Sequence, residues 1–284
     1  MPTIHHHISE LRLALRPYRT AQRIALVPTM GNLHDGHLEL VKIAKQHADI
    51  VVVSIFVNPT QFGVGEDFDS YPRTLDEDVT KLATVGADYV FAPTIDEMYP
   101  VLPPPTSVLT GAITEQLCGK TRPTHFDGVG IVVSKLFNIV QPDVAIFGQK
   151  DYQQLAIIKQ LVRDLSYPIE IVGAPIIRAT DGLALSSRNQ YLSESERKIA
   201  PILQQELQYL AEQISSNKQP LELLLVAARE RITGAGFIID YLEVKTAELT
   251  DVDESINNHQ DLMILVAAWL GRARLLDNQV VTNR

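Results

Sequence analysis

Apolar and polar positions along the first 175 or so residues follow two periods in turn, which predicts strands interleaved with helices. Short continuous apolar runs, such as Ile50–Val57 (IVVVSIFV), are typical of parallel strands buried on both faces. Longer stretches carry apolar residues three and four positions apart, the spacing of an amphipathic helix. The predicted strands are Ile24–Val27, Ile50–Val57, Tyr89–Phe91, Val144–Phe147 and Ile169–Val172. The predicted helices are Leu38–Gln46, Thr74–Val85, Val129–Val140 and Tyr152–Leu165.

This alternation predicts an α/β fold with a Rossmann-like parallel sheet, that is, a nucleotide-binding domain. Because a strand that is followed by a helix rejoins its sheet through a right-handed crossover, we expect helices on both faces. The glycine fingerprint G-x-G-x-x-G is absent from the sequence, so a dinucleotide cofactor is not indicated.

The remainder of the chain predicts a smaller C-terminal α+β domain. A charged helix over Ser193–Ser215 opens with Ser193 and Glu196, the spacing of a capping box. A second helix, Leu221–Thr233, ends at Gly234. Three strands follow over Ile238–Val244, Met263–Trp269 and Arg272–Leu276. We therefore place the domain boundary between residues 175 and 176, which gives domains 1–175 and 176–284.

Composition narrows the class of protein. A formal net charge of -9 argues against a general nucleic-acid binder, because such proteins depend on clustered Lys and Arg. Cys118 is the single cysteine, so an internal disulfide is impossible and a cytoplasmic location is expected. No apolar run approaches the roughly 20 residues of a membrane span, and the start lacks the apolar region of a signal peptide. His5–His7 are either native or a tag remnant, and we assign them no role.

The segment Ile24–His37 (IALVPTMGNLHDGH) is the strongest candidate site. An apolar strand is broken at a turn that contains Gly31, and a helical pattern begins near Gly36. The first N–H groups of a helix have no internal partner and favour anions. His34 and His37 add two imidazole donors, so the predicted ligand is a nucleoside triphosphate. The alternatives are two surface histidines in a loop, or a zinc site, for which a third ligand is missing nearby.

Two further loops follow predicted elements of the sheet. Gln61, in an Asn-Pro-Thr-Gln turn, offers an amide that suits a hydroxyl or a carboxylate, although an ordinary turn explains the same pattern. Asp76, Glu77 and Asp78 begin a predicted helix, where acidic residues commonly offset the helix dipole. Alternatively, one of them binds Mg²⁺, which prefers carboxylate and phosphate oxygens.

Two more segments carry phosphate donors. Lys150 lies between a strand end and a helix start, where its ammonium neutralises phosphates; the alternative is a helix cap with a solvated Lys-Asp pair. Ser186, Ser187 and Arg188 follow a glycine turn, and a guanidinium suits triphosphate oxygens. A plain turn with a surface arginine is the alternative.

The histidine segment resembles the HxGH signature of the nucleotidyltransferase superfamily. Together with the other segments, in order, the chain closely resembles the pantothenate synthetase (pantoate–β-alanine ligase) family over nearly its whole length. The matching stretches are PTMGNLHDGH, SIFVNPTQFG, YPRTLDEDV, HFDGVGIVVSKLFNIVQPDVAIFGQKDYQQL, DGLALSSRNQYL, IDYLEV and LVAAWLGRARLLDN. Two small departures are Thr124, where glycine is usual in the family, and Gln149, which replaces a common glutamate.

The resemblance implies a two-step ligation in pantothenate and coenzyme A biosynthesis. ATP and pantoate give pantoyl adenylate and pyrophosphate, and the amine of β-alanine then gives pantothenate and AMP. It also implies an ATP- and pantoate-binding catalytic domain (1–175), a lid (176–284), Mg²⁺ and a homodimer. The composition adds the expectation of a cytoplasmic protein without nucleic-acid or membrane partners.

The resemblance further implies roles for particular residues. Catalytic roles fall to His34, His37, Lys150 and Arg188. Gln61 and Gln154 hold pantoate, and Gln61 also meets β-alanine. Asp78 and Glu77 are the favoured magnesium ligands, with Asp76 competing. The ATP-binding residues are Met30, Gly31, Asn32, Leu33, His34, Asp35, Gly36, His37, Gly148, Gln149, Lys150, Asp151, Ile177, Leu185, Ser186, Ser187 and Arg188.

Three rival functions remain at this stage. A nucleotide adenylyltransferase would need Arg or Lys, rather than Gln61 and Gln154, for its phosphate acceptor. An aminoacyl-tRNA synthetase would need a tRNA-binding region, which this short acidic chain lacks. A non-catalytic nucleotide sensor would bind ATP without turnover.

Overall fold

A computed structural model describes residues 1–63, 65–216, 218–252 and 261–282 of the chain. The chain divides into two compact units. The N-terminal unit comprises Met1–Gln149 and Ile157–Pro175, and the C-terminal unit comprises Lys150–Ala156 and Ile176–Arg284. None of the helices within these described ranges is long and apolar enough to cross a bilayer.

The N-terminal unit is built on a six-stranded sheet in which every ladder is parallel. Its strands are β1 (Thr3–His5), β2 (Ile24–Thr29), β3 (Ile50–Ile55), β4 (Tyr89–Phe91), β5 (Val144–Gly148) and β6 (Glu170–Ala174). The order across the sheet is β1-β4-β3-β2-β5-β6. The central strands are almost wholly apolar because both of their faces are covered.

Helices surround this sheet. They are α1 (Ile8–Leu15), α2 (Asp35–His47), α3 (Leu75–Thr84), α4 (Ile95–Met98), α5 (Cys118–Thr121), α6 (His125–Val140) and α7 (Tyr152–Asp164). The core contains fully buried strand residues such as Val27, Val53 and Val90, against which Val41 and Ala44 of α2 pack. The residues of α7 up to Ala156 belong to the C-terminal unit.

The strand order reverses between β2 and β5. The chain runs outward from β2 through β3 to β4, beside the edge strand β1, and from β5 to β6 at the other edge. In open α/β sheets such a switch point, at the carboxyl ends of the strands, is where ligands bind. Thr29 and Gly148 end these two strands, so the histidine segment and the start of the Gly-Gln-Lys-Asp segment both begin at this point.

The C-terminal unit combines a three-stranded antiparallel sheet with three helices. The strands are β7 (Ile238–Thr246), β8 (Leu262–Leu270) and β9 (Ala273–Val281), in the order β7-β8-β9. The helices are α8 (Glu194–Ile199), α9 (Ile202–Ser216) and α10 (Leu221–Gly234). Leu203 and Leu207 of α9 share a buried cluster with Ile264 and Val266 of β8, so this unit has a core of its own.

The predicted fold class is confirmed, but several elements differ from expectation: α1, α4 and α5 were not predicted, and β9 continues to Val281 instead of ending at Leu276. The single helix predicted over Ser193–Ser215 is α8 followed by α9, because Pro201 lacks the N–H that would continue the first helix. The capping box at Ser193 and Glu196 is present. The strand β1 was not predicted; His5 lies in it and stacks on Tyr89 of β4, so this histidine is part of the sheet.

Helix α6 begins at His125, four residues before the predicted start. Thr124 precedes it with φ +67°, in the left-handed region. A β-branched residue is disfavoured there. Glycine, which the family resemblance leads one to expect here, would adopt this backbone conformation without strain.

Candidate active site

The loop that follows β2 is held by a buried carboxylate. Asp78, in the first turn of α3, is 0% exposed. Its Oδ2 accepts a hydrogen bond from the backbone N–H of Asn32 (2.8 Å), and its Oδ1 accepts one from Leu33 (2.7 Å). Thr74 donates to the same carboxylate at 3.1 Å. A buried charge that is satisfied in this way fixes the loop that leads into the histidine segment.

Glycine suits position 31 because the backbone there has a positive φ and lies close to the side chain of Asp78. Its φ is +82°, and a Cβ built there would lie 3.1 Å from both Asp78 Oδ2 and Ile55 Cγ2. The next residue, Asn32, also has a positive φ of +50°. A side chain at position 31 would be strained by the positive φ there, and its Cβ would need the two neighbouring side chains to move by a few tenths of an ångström.

The magnesium assignment of Asp78 stays a prediction. Both of its carboxylate oxygens are buried and accept hydrogen bonds from the loop, so the contacts of this residue in the structure position the backbone. Glu77 lies exposed beside it and stays a prediction. Among the described residues, no group of three His, Cys, Asp or Glu side chains is placed to hold a metal ion.

The two histidines lie at the N-terminus of α2, with their backbone contacts fixed. His34 is the N-cap residue, and its Nδ1 accepts the N–H of Gly36 at 3.1 Å. The Nδ1 of His37 accepts the N–H of His34 at 3.3 Å. The ring centroids are 4.1 Å apart. Because each Nδ1 is an acceptor, the neutral rings carry their proton on Nε2, so each Nε2–H is a hydrogen-bond donor.

Gln61 ends a short 3₁₀ helix, Pro59–Gln61, after β3. Its Nε2 donates to the sulfur of Met30 at 3.1 Å, which brings it beside the start of the histidine segment. Its Oε1 accepts from Nδ2 of Asn58, also at 3.1 Å. Gln61 is therefore oriented at both ends of its amide.

Asn58 is the residue that fixes this turn, and sequence reasoning treated it as an ordinary turn residue. It is 1% exposed, and its Nδ2 also donates to the carbonyl of Gly128 in α6 at 2.9 Å. Its Oδ1 accepts from Thr60 and, at 2.9 Å, from the hydroxyl of Tyr99. Burial raises the pKa of Tyr99, which keeps that hydroxyl protonated as a donor.

A second polar cluster holds the same turn from the side of α6. Arg122 forms a two-point ion pair with Glu66, at 2.7 and 2.6 Å. It also contacts Nε2 of His125, whose Nδ1 lies 2.7 Å from the carbonyl of Gln61. Burial favours a raised pKa for Glu66, but the hydrogen bond and charge of Arg122 outweigh it and hold the pKa below its usual value. No sequence pattern singled out this cluster.

The remaining predicted residues lie in the C-terminal unit. Lys150 is half-buried, and its Nζ lies 3.3 Å from Asp151, the Lys-Asp pair that the alternative interpretation expected. Gln154 is half-buried in the first turn of α7. Leu185 donates its backbone N–H to the carbonyl of Ile177 at 2.9 Å, which closes a loop around Gly182. Ser186 caps a 3₁₀ turn that contains Ser187 and Arg188.

The structure thus brings the predicted residues together in two groups. In the N-terminal unit, Met30, the histidine segment and Gln61 adjoin one another, with Gly148 and Gln149 at the end of β5. In the C-terminal unit, Lys150, Asp151 and Gln154 share a compact body with Ile177 and the segment from Leu185 to Arg188.

A parallel sheet with donors at the switch point and at a helix N-terminus is typical of α/β proteins that bind phosphate-bearing nucleotides. Comparison with known proteins refines this class. The profile of the family described as pantoate-beta-alanine ligase matches residues 3–280. The chain therefore belongs to the pantoate-beta-alanine ligase family, and the prediction of an enzyme of the ligase class is confirmed.

Individual relatives agree with this assignment. The chain is 89% identical over 283 residues to a pantothenate synthetase from Psychrobacter cryohalolentis, covering 99% of each chain. A solved pantothenate synthetase from Thermus thermophilus is similar with a TM-score of 0.90, 42% identity and 99% coverage of both chains. A pantoate-beta-alanine ligase from Francisella tularensis, solved in complex with beta-gamma ATP and beta-alanine, has a TM-score of 0.82, 34% identity and coverage of 99% and 98%.

Proposed function

We propose that this enzyme makes pantothenate in two steps from pantoate, β-alanine and ATP. A carboxylate oxygen of pantoate attacks the α-phosphorus of ATP, the bond to the bridging oxygen breaks, and pyrophosphate leaves. The β-alanine nitrogen then attacks the acyl carbon of pantoyl adenylate, the bond to AMP breaks, and the nitrogen loses a proton to solvent. Adenylation is needed because a carboxylate is a poor acyl donor at neutral pH.

The observation that carries this proposal is the pair of backbone N–H groups that donate to Nδ1 of His34 and Nδ1 of His37, which leaves Nε2 as the protonated nitrogen of each neutral ring. Negative charge accumulates around the α-phosphate as the first bond forms. Two Nε2–H donors beside the N-terminus of α2 are oriented before the substrate arrives, so they stabilise that charge without reorganisation. The ATP complex of the Francisella relative supports ATP as the nucleotide.

The other predicted residues complete the proposed roles. Lys150 and Arg188 neutralise phosphate oxygens, and Asp151 meets the ribose. Ile177 flanks adenine. Gln61 and Gln154 hold the hydroxyl and carboxylate of pantoate, with Gln61 also near β-alanine. The second step requires mainly an amine held in reach of the acyl carbon.

We propose that magnesium binds as a complex with the nucleotide. Within the described ranges, no group of three His, Cys, Asp or Glu side chains is placed to hold a metal ion, so these residues do not form a complete protein cage for Mg²⁺. Mg²⁺ commonly keeps several waters and binds through substrate phosphates with one or two carboxylates. We propose that it arrives bound to ATP, with Asp78 and Glu77 as the predicted carboxylates, and we assign no step to it. A cytoplasmic homodimer also stays a proposal.

One assay tests the reaction. The protein is incubated with ATP, Mg²⁺ and pantoate, with and without β-alanine, while pyrophosphate, AMP and pantothenate are measured. We expect pyrophosphate that depends on pantoate, and AMP with pantothenate once β-alanine is added. ATP binding without pantoate-dependent pyrophosphate would instead indicate a nucleotide sensor, and the proposal would be rejected.

Gln61→Ala tests the pantoate subsite. Because both ends of this amide are oriented by protein contacts, we expect its loss to raise KM for pantoate far more than KM for ATP. An equal rise in both constants would contradict the role of Gln61.

A further inference from the structure

Two adjacent polar residues of strand β9 are buried. Asp277 and Asn278 are each 5% exposed. Both lie in the carboxyl-terminal stretch LVAAWLGRARLLDN, which the proposed function leaves without a role. Burying such groups costs free energy unless each is hydrogen-bonded, so their hydrogen-bond partners identify the segments that β9 positions.

Asn278 bonds to the phosphate-binding segment that follows β5. Its Nδ2 donates to the main-chain carbonyl of Lys150 at 3.0 Å. A second hydrogen bond comes from the start of α7: the hydroxyl of Tyr152 donates to the carbonyl of Ala247, just after β7, at 3.0 Å. These contacts lie within the C-terminal unit, which includes Lys150–Ala156 although β5 itself does not belong to it.

Asp277 bonds to the other phosphate-binding segment. Its two carboxylate oxygens accept from both terminal nitrogens of Arg178, at 2.6 and 2.8 Å. Arg178 also donates to the carbonyl of Gly182 at 3.1 Å, inside the loop that precedes Leu185 to Arg188. The same carboxylate accepts the backbone N–H of Asn278 at 2.8 Å, so the two residues act as one rigid pair.

We propose that Asp277 and Asn278 are positioning residues for adenylation. By their hydrogen bonds to Lys150 and to Arg178, they hold the segments 150–156 and 178–188 at fixed positions relative to β9. This inference rests on the proposed function. Neither residue touches substrate; Asn278 acts through the main chain of Lys150. A shift of about 1 Å in a positioned group can cost on the order of a hundredfold in rate, so one hydrogen bond at this carbonyl is sufficient to matter.

The test compares Asn278→Ala and the nearly isosteric Asn278→Asp with Gln279→Ala. Gln279 is the matched control, because it is the next residue of β9 and its amide bonds to the carbonyl of Val280 on its own strand. We expect both Asn278 variants to lower kcat for pantoate-dependent pyrophosphate release by roughly tenfold to a hundredfold, with KM for pantoate unchanged. Gln279→Ala should match the wild type. Asn278→Asp keeps the test decisive if Asn278→Ala does not fold.

A double variant separates positioning from stability. If Asn278 acts through Lys150, adding Asn278→Ala to Lys150→Ala should cause no further loss of rate. If Asn278→Ala lowers the rate by the same factor in the wild type and in Lys150→Ala, the positioning role is overturned while the proposed function stands. A wild-type kcat in Asn278→Asp would have the same consequence. A wild-type enzyme without pantoate-dependent pyrophosphate would overturn the proposed function and this role with it.

Discussion

At the residue scale, the two histidines differ from ordinary surface histidines because backbone N–H groups fix their tautomer. His34 Nδ1 accepts from Gly36, and His37 Nδ1 accepts from His34. The sequence predicted donors at this position. It did not show which ring nitrogen would carry the proton, since that depends on the capping geometry of α2.

Substitutions of His37 test the donor. Gln can place its amide N–H near the position of Nε2, whereas Asn reaches only as far as Nδ1. We expect His37→Ala and His37→Asn to lose on the order of 10²-fold or more in adenylation, and His37→Gln to retain clearly more. Pyrophosphate release measures the rate, and His47→Ala, at the opposite end of α2, is the control. Equal activity in the Gln and Asn variants would contradict a role for Nε2–H.

Glu66 gives a pH prediction. Its pKa in the folded protein lies below the ordinary value of 4.5, because Arg122 outweighs the effect of burial. A carboxyl whose folded pKa is lowered stabilises the fold fully above its unfolded pKa and loses that contribution as pH falls through the folded pKa. We therefore expect the free energy of unfolding to fall more steeply below pH 4.5 in the wild type than in Glu66→Gln. Parallel curves from denaturant titrations would refute this.

At the element scale, the turn that carries Gln61 is positioned by α6. A Cβ at Gly128 would lie 2.2 Å from the carbonyl oxygen of Thr60 and 2.6 Å from the backbone nitrogen of Gln61. These are backbone atoms, so the turn itself would have to move.

Gly128→Ala should therefore destabilise the fold by about 1–3 kcal/mol, as overpacking does, and also raise KM for pantoate. Gly234→Ala is the matched control: it lies in a helix with nothing within 4 Å of the added Cβ, and should leave both quantities near wild type. Thermal unfolding and steady-state kinetics measure the two effects. An unchanged KM for pantoate in Gly128→Ala would show that α6 does not position Gln61.

The sequence identified most of the regular elements because their periodicity is local. Its errors have physical reasons. Pro201 divides one amphipathic pattern into α8 and α9, since the helical face continues across the break. Strand β1 has only three residues, and its pairing with β4 joins segments more than eighty residues apart, which no local pattern reveals.

At the scale of the whole molecule, we expect substrate binding to raise the free energy of unfolding. A ligand that binds the folded state alone raises the free energy of unfolding, by about 2.7 kcal/mol when it is present at a hundred times its Kd. We expect ATP with Mg²⁺, without pantoate, to raise the melting temperature of the wild type, and to raise that of Lys150→Ala less. No ATP-dependent shift in the wild type at saturating nucleotide would count against the predicted nucleotide site.

The sequence by itself determined the alternation of strands and helices, the family, and the residue types that suit a triphosphate and a small hydroxy acid. These depend on local periodicity and on motifs that are contiguous in the chain. Only the tertiary structure showed the structural roles of four buried polar residues, Asp78, Asn58, Asp277 and Asn278. The role of a buried polar side chain depends on its hydrogen-bond partners, which are distant in sequence. The family resemblance predicts Asp78 as a magnesium ligand, and only the structure shows that it also holds the backbone of Asn32 and Leu33, residues 46 and 45 positions away.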